Sequence, residues 1–163
     1  RVEILNVKTQ RVGIADFVYS LDRNGALKVH TTFQPDTTIV KSMARLGLTF
    51  RVSNAYDQVS YLGRGDNETY IDRNQSGKIG VYQTTPERMF HYYVAPQSTG
   101  NRTDVRWVKL GDTSGEGIFV ESDRAFQFSI IPFSDVLLEK ARHINELERL
   151  LVVPEYYRNT WFH

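Results

Sequence analysis

Two pairs of carboxylates, Glu68 with Asp72 and Glu121 with Asp123, are the residues of this chain whose type and spacing could do chemistry. Two facing carboxylates at a fixed separation are what hydrolysis of a glycosidic bond requires, one as acid and one as base or nucleophile. Each pair sits among arginines, Arg64 and Arg73 for the first and Arg124 for the second. A neighbouring guanidinium holds a carboxylate ionised instead of raising its pKa. Ion pairing is therefore the expectation for both pairs, and acid-base work is not.

Other motifs weaken on inspection. The histidines, His30, His91, His143 and His163, lack the spacing of a metal-ligand pair, so no metal site is expected. Arg64-Gly65-Asp66 is an adhesion tripeptide in form, but glycines at 63 and 65 make it a tight loop after a strand. Asn67, Asn74 and Asn101 each open an Asn-x-Ser/Thr sequon, which marks surface loops in secreted eukaryotic chains, but a chain this rich in Asn, Ser and Thr gives most such matches by chance. There is no Gly-x-Ser-x-Gly elbow and no phosphate-cradling glycine loop beyond Gly63-x-Gly65. Tyr92, Tyr93, Trp107, Tyr156, Tyr157 and Trp161 could stack on sugar faces or fill a core between sheets. Tyr92, Tyr93 and Trp107 are the candidates for substrate binding; no catalytic residue, metal or cofactor is expected.

Composition narrows the class further. The 163 residues carry 20 Lys and Arg against 19 Asp and Glu, a formal charge of +1. That balance argues against a nucleic-acid groove, which shows a clustered basic excess. No apolar run approaches the roughly 18 residues of a membrane-spanning helix. Zero cysteines remove disulfides, thiolate metal sites and a cysteine nucleophile. They leave the compartment open, bacterial cytoplasm or periplasm, because exported bacterial proteins also lack them. The start at Arg1-Val2 and the aromatic end at Trp161-Phe162-His163 suggest a piece of a longer chain.

Period-two patterning dominates the elements that would position these residues. Phe17–Leu21 and Leu27–Phe33 flank Asp22-Arg23-Asn24-Gly25, a hairpin signal. Leu46, Leu48, Phe50 and Val52 alternate with small or polar residues and predict a strand with one buried face. Val59–Leu62, Val105–Leu110, Ile118–Val120 and Phe126–Ile130 read as further strands, and 152–157 and 160–163 as strand material. One segment departs from the pattern: Ser134 is placed to cap a short helix with Leu137, Ala141, Ile144 and Leu147 on its apolar face. The prediction is one all-β domain over 1–163, a large twisted antiparallel sandwich with one short helix.

Two stretches go beyond a generic sandwich. The first runs from Ala44-Arg45-Leu46-Gly47-Leu48-Thr49-Phe50 through Val59-Ser60-Tyr61-Leu62 to Gly63-Arg64-Gly65-Asp66-Asn67-Glu68-Thr69-Tyr70-Ile71-Asp72-Arg73. The second is Tyr93-Val94-Ala95-Pro96-Gln97-Ser98-Thr99-Gly100-Asn101-Arg102-Thr103-Asp104-Val105-Arg106-Trp107. With Phe126-Gln127-Phe128-Ser129-Ile130 and the helix after it, they resemble the C-terminal small-chain sandwich domain (domain 5) of glycoside hydrolase family 2 β-galactosidases. The resemblance runs in order from about Asp16 to the C-terminus. The chain departs from the family pattern at Gly65-Asp66, Glu68-Thr69-Tyr70 and Pro96-Gln97-Ser98-Thr99-Gly100.

The resemblance implies a fold similar to galactose mutarotase at the end of an enzyme whose catalytic glutamates lie in a separate barrel. It implies the parent's other domains as partners, galactosides as candidate ligands, and a homo-oligomeric parent as an open alternative. A free-standing carbohydrate-binding module and a structural interaction domain are the rival readings. Within the motifs, Arg64, Glu68, Asp72 and Arg73 are expected to form a charged network that locks the loop after a strand, with Tyr70 in the same structural motif. Asp104 and Arg106 are expected to pair likewise.

Overall fold

The computed structural model describes residues 1–6, 8–43, 45–133, 135–150 and 157–162, and the side chains among them apart from 135, 136, 139 and all from 148 on. Ala44, the capping Ser134, the stretch Val152–Tyr156 and His163 lie outside the described residues. The antiparallel, all-β architecture read from the period-two pattern is what forms. The strands are β1 (Val2–Leu5), β2 (Arg11–Leu21), β3 (Leu27–Pro35), β4 (Leu48–Ser53), β5 (Gln58–Arg64), β6 (Ile79–Thr84), β7 (Arg102–Gly111), β8 (Gly117–Ile131) and β9 (Tyr157–Phe162). A single helical turn α1 (Pro86–Met89) follows β6, and α2 (Asp135–Lys140) and α3 (Ile144–Leu150) follow β8.

The chain divides into two compact units, Arg1–Leu46 and Gly47–His163. The first holds a three-stranded sheet in the order β1-β2-β3. Its β2–β3 hairpin closes at the predicted run, but of Asn24-Gly25 only Gly25 takes the positive φ expected of both. The Asp22 carboxylate accepts from the backbone N–H of Asn24 at 2.8 Å and Ala26 at 2.9 Å, and Gly25 adopts φ +84°. The second unit holds a six-stranded sheet in the order β4-β9-β8-β7-β5-β6. Its β7–β8 hairpin repeats the device: Asp112 accepts from Ser114 and Glu116, with Gly115 at φ +93°.

One face of the larger sheet carries the core of its unit. Val59 and Tyr61 of β5, Val105, Val108 and Leu110 of β7 and Phe128 and Ile130 of β8 are buried there with Val52 and Met89. Each such side chain contributes about 1.5–3 kcal/mol by leaving water. A second cluster of Phe90, Ile131, Phe133, Leu138 and Leu147 seats α2 and α3 on the end of β8. The single helix expected after residue 134 is thus two, broken at residues 141–143, and Ala141 and Ile144 still pack on that cluster. The one-faced burial expected of β4 fails except at Val52: Phe50 is 41% exposed and Leu46, before the strand, 52%. β4 is an edge strand paired only with β9, so little covers it.

Two features of β7–β8 shape the site. The register advances by three residues on β7, Arg102 to Val105, against two on β8, Phe128 to Phe126. This places an extra residue in β7 and turns Asp104 into the left-handed region at φ +55°. The next step, Val105 to Trp107, spans Phe126 to Glu121 on β8, so residues 122–125 bulge out. The two sequence runs Ile118–Val120 and Phe126–Ile130 are therefore one long, bulged strand.

Candidate functional site

The loop leaving β5 and the loop entering β7 are tied together by side chains from both quoted motifs. Glu68 is the hub, its side chain only 14% exposed. One carboxylate oxygen accepts from the Tyr93 hydroxyl and from Arg73 Nη2 at 2.7 Å. The other accepts from Thr99 Oγ1 at 2.7 Å and the Gly100 N–H at 3.1 Å. Burial pushes the Glu68 carboxyl up, but the bonds from Tyr93, Thr99 and Gly100 and the charge of Arg73 together hold it below the usual carboxylate range. Arg73 also donates to Tyr93 at 3.2 Å and stands 5.2 Å from the Tyr70 ring centre. Burial, with the Glu68 charge behind it, pushes the Tyr70 hydroxyl up to about 12.

A second cluster lies beneath, and it is the part the sequence reading missed. Arg102 is buried, 2% exposed, and no carboxylate among the described residues pairs with it. Its guanidinium donates from Nε to Tyr61 Oη at 2.9 Å, from Nη1 to the carbonyls of Gly100 and Asn101 at 3.1 and 3.2 Å, and from Nη2 to the carbonyl of Asp66 at 2.7 Å. Tyr61 in turn donates to the carbonyl of Gly65. A planar fork of fixed donors suits such a ring of carbonyls, and a lysine ammonium would not. Asn101 Nδ2 bridges the Thr69 carbonyl and Gln127 Oε1, both at 2.9 Å, and its Oδ1 is buried without a partner. Thr69 Oγ1 accepts from the Thr103 N–H at 3.0 Å. In the sequence these residues lie inside the second quoted motif, as Gly100-Asn101-Arg102-Thr103, with no role assigned to Arg102. Asn101 is 5% exposed, so its sequon lies in the core and not in a surface loop.

Two glycines permit these approaches. Gly65 sits at φ +65° and Gly100 at φ +77°. A side chain at Gly100 would stand 2.6 Å from the Met89 carbonyl oxygen.

The expected pairings are met in part. Arg64 pairs with Asp104 at 2.6 Å and donates to the Gly77 carbonyl at 3.0 Å, joining β5 to the β7 bulge. Asp104 was expected to pair with Arg106. The extra residue in β7 instead swings Asp104 to Arg64, and Arg106 is exposed with no ion pair among the described residues. Asp72 is exposed and outside the network, and the same holds for Glu121 beside the β8 bulge and for Asp123 and Arg124 within it. Of the ion pairing expected for both carboxylate pairs, Glu68 with Arg73 is found, and Asp72, Glu121 and Asp123 have no ion pair among the described residues. Of the sugar-stacking candidates, Tyr93 is committed to Glu68. Tyr92 is 54% exposed and packs edge-on to Phe90, and Trp107 is half-buried and stacked on Phe119 at 5.9 Å. An open depression of about 370 Å³ adjoins the bulges, lined by Ile71, Asn74, Thr103, Asp104, Phe126 and Gln127 with Ala125.

Comparison with known proteins gives this geometry a setting. A family described as beta galactosidase small chain matches residues 2–158. The chain is 28% identical over 129 residues to a beta-galactosidase of Priestia megaterium, covering 79% of this chain and 12% of that protein. It is 32% identical over 132 residues to a beta-galactosidase of Halalkalibacterium halodurans, covering 79% of this chain and 13% of the other. It is 37% identical over 106 residues to beta-galactosidase BgaC of Bifidobacterium adolescentis, covering 63% of this chain and 10% of the other. The chain thus spans about one-eighth of the length of the curated relatives it matches.

Proposed function

The chain belongs to the β-galactosidase small-chain family, and from that premise we propose that it is a non-catalytic β-domain of a larger β-galactosidase, supporting the active site from outside it. The parent would cleave terminal β-galactosides with retention, through two carboxylates housed outside residues 1–163. The isolated chain should be inactive.

The state of Glu68 carries this reading. A general acid needs a raised pKa and a facing carboxylate partner. Glu68 has four donors on its two oxygens and a lowered pKa. That is the arrangement of a structural anion, whose role is to hold two loops in one geometry. The test uses an antibody against this chain on an extract of its source. Depletion should remove β-galactoside hydrolysis and capture a protein far larger than 18.8 kDa. Unchanged activity with capture of a protein near that mass would overturn the proposal.

A further inference from the structure

The β2–β3 and β7–β8 turns are built alike and differ at one reactive position. Each opens on an aspartate whose carboxylate accepts two backbone N–H groups. Asp22 takes those of Asn24 and Ala26 at 2.8 and 2.9 Å, and Asp112 those of Ser114 and Glu116 at 2.9 and 3.1 Å. Each ends on a glycine of positive φ whose N–H donates back to the aspartate carbonyl, Gly25 at 3.2 Å and Gly115 at 3.3 Å. Asn24 and Ser114 therefore hold equivalent places. The Ser114 hydroxyl donates to Asp112 at 2.7 Å, whereas Asn24 is exposed and its carboxamide makes no hydrogen bond among the described residues.

Asn24 alone among the asparagines precedes a glycine. Glycine has no Cβ to crowd its own nitrogen, and the space a Cβ would take at Gly25 is clear to 4 Å. The Gly25 N–H is held only by a bond at the long limit of its kind. From this we propose that Asn24-Gly25 is a self-modification site, at which Asn24 becomes aspartate or isoaspartate without an enzyme. Water removes the Gly25 N–H proton, and the nitrogen attacks Asn24 Cγ. The new N–Cγ bond closes a five-membered succinimide as the Cγ–Nδ2 bond breaks, and Nδ2 takes up a proton and leaves as ammonia. One water then adds to either ring carbonyl and breaks its bond to the Gly25 nitrogen. Opening at Cγ gives aspartate, and opening at the main-chain carbonyl gives isoaspartate. Isoaspartate lengthens the main chain of the turn by one carbon. Either product sets a second carboxylate close to that of Asp22, so the Ala26 N–H is held less firmly. None of this depends on the substrate of the parent.

The test ages the native full-length protein at mildly alkaline pH and reads residues 24–28, a tryptic peptide, by mass spectrometry. Digestion in heavy-oxygen water marks any conversion that occurs during handling. Asn24 should gain about one mass unit faster than every other asparagine of residues 1–163 and should yield both products. Conversion no faster than elsewhere would overturn the proposal. So would aspartate as sole product, which direct hydrolysis of the carboxamide gives. Asn24→Ser copies the β7–β8 turn, so it should keep the thermal midpoint of wild type and stay unmodified at residue 24. Amide exchange at Ala26 should quicken in aged wild type and stay constant in aged Asn24→Ser. Equal exchange in the two would overturn the loosening of the turn.

Discussion

Nε of Arg102 lies 2.9 Å from the hydroxyl of Tyr61, 41 positions earlier in the chain, and both side chains are buried. The bond couples the start of β7 to the middle of β5, and through the Gly65 and Asp66 carbonyls it holds the loop that presents Glu68. Losing the guanidinium would take a donor from three carbonyls and a hydroxyl in the interior, of which the Asn101 carbonyl keeps the Thr69 N–H and the Tyr61 hydroxyl keeps Gly65. Arg102→Met in the parent protein is therefore expected to cost about 3 kcal/mol or more. Tyr61→Phe should cost about 1–3 kcal/mol. Because the two share one cluster, the double variant should lose less than the sum. Urea midpoints of the four proteins check this, and strict additivity would show the cluster not to be a unit.

The depressed pKa of Glu68 fixes a sign for pH dependence. A carboxylate whose folded pKa lies below its unfolded value, ordinarily 4.5, adds stability that is fully present above that value. The contribution is lost as pH falls from there through the folded pKa. Wild type should thus exceed Glu68→Gln in thermal midpoint at pH 7, with the gap closing as pH drops below about 4.5. A gap constant from pH 7 to 3 would contradict the assignment.

Arginines of the motifs should separate by environment. Arg64→Ala removes a half-buried ion pair and a carbonyl partner and should cost about 1–2 kcal/mol. Arg73 is 60% exposed, which screens its pair, so Arg73→Ala should cost about 1 kcal/mol or less. Arg106→Ala should stay within about 0.5 kcal/mol of wild type. Thermal unfolding of the three variants ranks them, and a large loss at Arg106 would overturn the ordering.

Gly100→Ala should cost about 2 kcal/mol, since it adds a methyl 2.6 Å from the Met89 carbonyl at φ +77°. Moving that backbone also moves the N–H that Glu68 accepts. Urea unfolding of the variant measures the cost, and a neutral result would mean the loop can refit.

Expression in a glycosylating host should leave Asn101 unmodified despite its sequon, because the side chain is buried in bonds to Thr69 and Gln127. Glycopeptide mass spectrometry decides this, and occupancy at Asn101 would mean the segment is exposed during or after folding.

The sequence alone determined the local structure. Alternation placed β2, β3, β5, β7 and β8, and the Asp22-Arg23-Asn24-Gly25 run marked the β2–β3 turn, because turn chemistry is settled within four or five residues. It also singled out Arg64, Glu68, Asp72 and Arg73 as a loop-locking group by the density of opposite charges near one another, of which Asp72 stays outside the network. What it could not determine was which charge meets which. Asp104 lies two residues from Arg106 but pairs with Arg64, because one extra residue in β7 reverses the direction of its side chain, and bulges leave no period to read. Arg102 stood in a quoted motif with no role assigned to it, since its partners are carbonyls of residues 66, 100 and 101 and a hydroxyl at 61. Backbone carbonyls are the same in every residue, so no side-chain pattern announces them. Only the folded sheet, bringing β5 and β7 side by side, makes them into a site.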